Sequence, residues 1–198
     1  MAISKTIIIN KALALIGAKQ IESVDDGSDT ADLVGSIYET SLKSVLAECK
    51  WNFATKRDAL PTNSTATLEF YDVGETIIYD RPTDIIRIYS SNPTDALWRE
   101  EGDYIISDSS GLGIRYVYYI EDVTKFPIFF VEALCDKLAC DLAYAIVNSA
   151  SLAESFLKKY ETVTLPKAVA ENSTIGIQQT LRDDAWELSK YSDIQPDA

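Results

Sequence analysis

The chain has 198 residues, 46% of them hydrophobic, which suffices for one domain with a real core or two small ones and excludes a disordered chain. Lys and Arg number 18 against 31 Asp and Glu, a formal net charge of −13, the wrong sign for a general phosphate-gripping surface. With no histidine, Ser-His-Asp and Cys-His catalysis, His-ligated zinc and imidazole acid–base chemistry are excluded.

The opening stretch "MAISKTIIINKALALIGA" has the outline of a signal peptide, but Asn10 and Lys11 interrupt its apolar run. Ile9, Leu13 and Ile16 follow helical spacing and Gly17 suits a helix end, so an amphipathic core helix is expected over Ser4–Ile16. A polar link, "GAKQIESVDDGSDT", follows. Ser28 or Asp29 then caps a second helix, with Asp32 complementing its N-terminal dipole. Val34, Ile37, Tyr38, Leu42, Val45, Leu46 and Cys49 recur at steps of three and four, the clearest amphipathic pattern in the chain.

That helix runs into "KWNFATKRDALP". Aromatic residues among cations can stack on bases and track phosphates. Two aromatics just past an apolar stripe also close the base of a core, with Lys56 and Arg57 laying their stems over it. Trp51 and Phe53 are therefore expected to form a structural joint, with a nucleic-acid patch as the rival reading.

From Ala66 to Asp122 the texture changes. "TIIYD", "IIRIYS", "ALWRE", "DYIIS" and "IRYVYYI" are five short segments rich in β-branched and aromatic residues, separated by turn signals. They predict an antiparallel sheet, with Gly111 and Gly113 in a hairpin turn. Helical texture returns at "FPIFFVEALCDKLACDLAYAIVN", with Pro127 in the first turn and Val131, Leu134, Leu138, Leu142 and Ala145 on one stripe. Ser151 and Glu154 match a capping box for a last helix, with Leu152, Phe156, Tyr160 and Val163 facing inward and Pro166 breaking or kinking it. Cys49, Cys135 and Cys140 form no CxxC pair and suit small core positions in a reducing compartment. The polar C-terminus carries spaced apolar positions at Leu181, Trp186, Leu188 and Tyr191. It is expected to be either an arm that packs on another chain or a loose tail.

The expected fold class is therefore α+β: a bundle of about four helices with an inserted antiparallel β subdomain and a C-terminal arm. The parts are N-terminal helices over residues 1–60, the β subdomain over 61–124, C-terminal helices over 125–168 and the arm over 169–198. Catalysis by paired carboxylates stays open as an alternative. Asp25/Asp26, Glu100/Glu101 and Asp183/Asp184 are adjacent, although 31 acids make adjacent pairs common. "DDGSD" lacks the ligand run and terminal glutamate of a calcium loop, and no phosphate-binding glycine loop is present.

Several segments together resemble, in family order, the tail tubular protein A family, the adaptor or head-to-tail connector of short-tailed bacteriophages. They are "ALALIGAKQIESVDDGSDTA", "YETSLKSVLAECKWNFATKRDAL", "YDRPTDIIRIY", "WREEGDYIISD" and "IRYVYYIEDVTKFPIFFVEALCDKLACDLAYAI". The likeness covers about residues 5–165 and stops short of the arm. It implies a structural, non-enzymatic virion protein made in the bacterial cytoplasm and built into the tail at the capsid vertex. Twelve copies would form a homo-oligomeric ring between the portal protein and the tail nozzle protein, with double-stranded DNA passing through the lumen without specific binding. It implies no cofactor, no metal and no membrane. On this reading the arm residues Leu181, Trp186, Leu188 and Tyr191 are candidates for portal contact. The loop carrying Asn92, Pro93 and Trp98 is the candidate for nozzle contact. Two alternatives are a carboxylate-dependent glycan hydrolase of the tail and a different head-completion or stopper protein.

Overall fold

The computed structural model describes residues 3–72 and 74–175. Its fold is mixed α+β, with four helical rods and two small antiparallel sheets. The first rod, α1 (Lys5–Leu15), is capped by Ser4, whose Oγ accepts from the Ile7 amide, and it closes at Gly17 in the left-handed region, φ 71°. The second, α2 (Asp29–Glu48), is capped by Ser28, and Asp29 and Asp32 occupy its first turn. Between them Asn10 holds the link by a two-way bond to the backbone of Ile21.

The third rod, α3 (Ile128–Val147), follows Pro127 directly. A single inward stripe was expected of it. Instead Phe130, Val131, Ala133, Leu134, Cys135, Asp136, Leu138, Ala139, Leu142 and Ala143 are all buried, while Ala145 is exposed. The reason is position: α1, α2 and the C-terminal helices all pack on α3, so one stripe is not enough.

The fourth rod is α4 (Ala150–Lys159), a π turn (Tyr160–Thr164) and α5 (Leu165–Thr174) in unbroken succession. Its start corrects the expected capping box. Asn148 takes the left-handed conformation, φ 53°, and Ser149, not Ser151, caps α4 by accepting from the Leu152 amide. Pro166 does not end the rod. A proline has no N–H for the preceding turn and crowds its carbonyl. The wider π turn just before it, where the Leu165 amide donates to Tyr160 O, takes up this defect. The extra residue also rotates the rod's faces, so Tyr160 is buried while Val163, expected inside, is 58% exposed.

Six strands form the β subdomain: β1 (Thr55–Ala59), β2 (Ile77–Asp80), β3 (Ile85–Asn92), β4 (Trp98–Glu101), β5 (Tyr104–Ser107) and β6 (Gly113–Tyr118). The five expected strands are present. β1 is additional, and the single expected sheet is two: sheet A in the order β1-β6-β3 and sheet B in the order β2-β5-β4. Gly111, at φ 77°, does turn the chain, but β5 and β6 belong to different sheets, so the expected hairpin is a crossover between layers. The sheets enclose a small core of Leu60, Tyr79, Ile85, Ile105, Leu112, Ile114 and Tyr116. Val117, next along β6, points the other way and joins the bundle core. Sheet A is thus the layer between the bundle and sheet B. Among the described residues no helix is long and apolar enough to cross a membrane.

Candidate functional site

The joint between bundle and sheets is built on Trp51. After the end of α2 the chain makes one 3-10 turn (Asn52–Ala54), which swings Trp51 and Phe53 under the bundle. Trp51 is fully buried, and its Nε1 donates to Val45 O over 2.8 Å. Phe130 meets it edge-on at 5.0 Å between ring centroids, and Phe53 meets Phe130 the same way at 4.7 Å. Phe126 and Phe129 complete the cluster. A buried indole offers no face for a base, so the rival nucleic-acid reading loses its stacking platform at Trp51. Lys56 and Arg57 do not cover the joint as expected. They enter β1 and, as neighbours on a strand, point to opposite faces. Lys56 Nζ lies 4.1 Å over the Tyr118 ring and pairs with Asp84.

The joint has a second fastening that the sequence did not announce. Asn172, near the end of α5, is buried at 4% exposure. Its Oδ1 accepts from the Asn52 amide over 2.9 Å and its Nδ2 donates to Lys50 O over 2.8 Å. Its carbonyl in turn accepts from Asn52 Nδ2 over 2.7 Å. The point where the chain leaves α5 is therefore fixed beside the start of β1. Higher on the rod, Asp136 is buried and receives Lys159 Nζ at 2.9 Å and Thr164 Oγ1 at 2.5 Å. The π turn is what carries Thr164 onto this carboxylate.

Asn92, the last residue of β3, and Pro93, the first of the connection to β4, are exposed. Trp98 is half-buried and packs against the core between the sheets. The connection is pinned to the end of β5: Ser107 Oγ donates to Leu97 O over 2.7 Å, and the Leu97 amide donates to Asp108 Oδ1 over 3.0 Å. Sequence reasoning missed two strongly exposed apolar residues of the β subdomain, Leu97 on this connection at 69% exposure and Phe70 at 72%. Two residues after Phe70, Asp72 is gripped by Arg99 together with Glu75 and Glu101. Leu181, Trp186, Leu188 and Tyr191 lie outside the described residues.

The acid pairs are dispersed. Glu100 and Glu101 alternate along β4 and serve different arginines, Arg81 and Arg99. Asp25 and Asp26 sit in the exposed link before α2, where hydrogen bonds from Ser28 hold the Asp26 carboxyl below its ordinary range. Asp183 and Asp184 lie outside the described residues. Among the described residues no group of three or more His, Cys, Asp or Glu could hold a metal ion. Burial pushes all three thiols up, Cys135 to about 11; Cys135 is fully inside, whereas Cys49 and Cys140 are half-buried. No protein-family model matches the chain, and no curated protein matches it.

Proposed function

We propose that the chain is a structural virion protein, an adaptor that assembles as a ring on the portal of a short-tailed phage and joins it to the tail nozzle. The observation that carries this reading is the ordered resemblance to the tail tubular protein A family. Its Trp-Asn-Phe-Ala segment lies at the junction from which the β subdomain leaves the bundle. The bundle, with its continuous core, is suited to be the ring body. In a closed ring each copy would use two unlike faces, head to tail. The connection that carries Leu97, with Asn92, Pro93 and Trp98, is the surface assigned to the nozzle. The arm, with Leu181, Trp186, Leu188 and Tyr191, is assigned to the portal, since large apolar anchors in a polar segment commonly carry binding energy. A net charge of −13 per copy favours DNA sliding through without adhesion. The role is mechanical rather than catalytic and calls for no cofactor.

Capture experiments test this. Purified portal of the same phage is expected to retain the full chain, and Trp186→Ala with Leu188→Ala to weaken that retention at least tenfold. Retention only on particles that already carry an adaptor would instead identify a stopper. Cleavage of cell-wall or capsular glycan by the chain, lost on substituting a single carboxylate, would replace the structural reading with a hydrolase.

A further inference from the structure

The five arginines of the described chain fall into two groups. Arg81 and Arg99, at sheet B, both meet carboxylates: Glu100 for the first, and Asp72, Glu75 and Glu101 for the second. Arg57, Arg87 and Arg115, all in sheet A, form no ion pair among the described residues. Ladder register puts these three on one face. Arg57 stands directly across from Arg115 in the β1–β6 pair. Arg87 stands across from Val117, two residues further along β6 and therefore on the same side. It is the side that faces the bundle, for Val117 joins the bundle core and Arg87 donates to Ala47 O at the end of α2.

Like charges directly across a ladder destabilise it. Among the described residues neither Arg57 nor Arg115 has an ion-pair partner. Asp58 follows Arg57, but its carboxylate accepts from the Tyr116 hydroxyl on the opposite face. Arg115 Nε is buried and has no hydrogen-bond partner among the described residues. Beside the pair is an open groove of about 670 Å³, lined by both arginines, Ser90, Asn92, Thr94 and Gly113, and by Asp58, whose carboxylate is held by Tyr116. Its outer border is β1, an edge strand of sheet A. Two guanidinium groups one strand spacing apart, with hydroxyl and amide groups beside them, fit a ligand that presents carboxylates.

One segment of this chain has that chemistry and starts in the right place. Residues 176–198 hold Asp183, Asp184, Glu187, Asp193 and Asp197 against Arg182 and Lys190. They follow Ile175, three residues after Asn172, which is bonded to Lys50 and Asn52 at the foot of β1. Arg57 is five residues from Asn52, at most about 18 Å, whereas the eight residues from Ile175 to Asp183 span up to about 28 Å when extended. We propose that Asp183 and Asp184 bind Arg57 and Arg115 of the same chain, mooring the C-terminal segment in the groove on the bundle side of sheet A. Trp186, Leu188 and Tyr191 follow these two aspartates in sequence. The inference stands apart from the ring reading, because it concerns a contact within one chain.

Hydrogen exchange of the full chain, read by mass spectrometry, tests it. Compared are the wild type, Asp183→Arg with Asp184→Arg, Arg57→Glu with Arg115→Glu, and all four substitutions together. Peptides covering residues 55–59 and 178–186 are expected to exchange at least tenfold faster in either double variant than in the wild type. Protection is expected to return in the fourfold variant and to be independent of dilution. Peptides around Trp51 report whether each variant is folded. If the arginine variant unfolds, the aspartate variant still decides, since it leaves every described residue unchanged. Unprotected exchange at 178–186 in the wild type would overturn the proposal. So would protection that vanishes on dilution, which would assign the groove to a second copy. Loss of retention on immobilised DNA in the arginine variant, with exchange unchanged, would mark a phosphate-binding face and overturn it as well. Mixing the same variants with portal keeps this result separate from the fate of the ring reading.

Discussion

Trp51 and Tyr79 are both fully buried aromatic residues with their polar atoms bonded to backbone, yet they sit in cores of unequal kind. Trp51 lies among four phenylalanines at the base of a bundle whose apolar core runs from α1 to α5. Tyr79 lies between two three-stranded sheets that share only a handful of apolar residues. Its hydroxyl does structural duty as well, donating to Ser109 O over 2.6 Å and accepting from the Leu112 amide over 3.2 Å, which fastens the crossover from β5 to β6. The bundle is held by filled volume. The sheets are held by a small core, by anchoring hydrogen bonds and by charges on their rims. On the proposed adaptor reading, the first kind of region would form the ring body and the other the end that docks on a second protein.

Trp51→Ala breaks this contrast most sharply. Removing a buried indole costs about 3–5 kcal/mol, and because sheet A leans on the same core, both regions are expected to unfold in one transition of lowered midpoint. Two separate transitions in a denaturant titration would show that the sheets are stable without the bundle.

Alkaline pH is expected to act next and on both regions, for burial and bonds to Asp58 and Asp84 raise the hydroxyl pKa of Tyr116 in the sheet core as well. Burial raises the hydroxyl pKa of Tyr38 and Tyr160 well above 10, and that of Tyr89 to about 12. The folded chain keeps these protons where the unfolded chain releases them near pH 10. Unfolding therefore releases protons, and stability falls as pH rises above 10 through the folded values. The loss approaches about 1.4 kcal/mol per pH unit for each such tyrosine. Denaturant midpoints at pH 8, 9, 10 and 11 are expected to stay level and then drop; a level curve to pH 11 would contradict the burial described.

Asn172→Ala sharpens the comparison at the seam. It removes the side-chain bonds to Asn52 and Lys50 and leaves buried backbone groups unpaired, at about 1–3 kcal/mol. The effect is expected to appear as faster hydrogen exchange in α5 and β1 and little change in α1. Arg99→Ala has the smallest expected effect. Arg99 and its partners Asp72 and Glu101 are exposed, where solvent screening leaves ion pairs little net effect on stability. A drop in melting temperature too small to measure, with nozzle binding altered, would support a rim kept for recognition.

Much of this was legible in the sequence because apolar spacing is a local signal. The period of α2 and the β-branched runs of β2, β3, β5 and β6 name their own elements. β1 was missed because "TKRDA" carries almost no strand preference; it is a strand because β6 offers a partner. The Ser149 cap depends on Asn148 turning left-handed, and the π turn depends on Pro166 and the Asp136–Thr164 bond together, so neither shows in a helical wheel. Asn172 is one asparagine in a polar stretch, and its partners are 120 or more residues away. The Arg57–Arg115 pair exists only once the register of β1 on β6 is known.

The mass of the full chain in solution, alone and mixed with the portal of its phage, measured by light scattering after size exclusion, tests the adaptor account most directly. A ring-sized species, or a monomer that joins the portal in about twelve copies, is the result the account requires. A monomer or dimer that ignores the portal would contradict it.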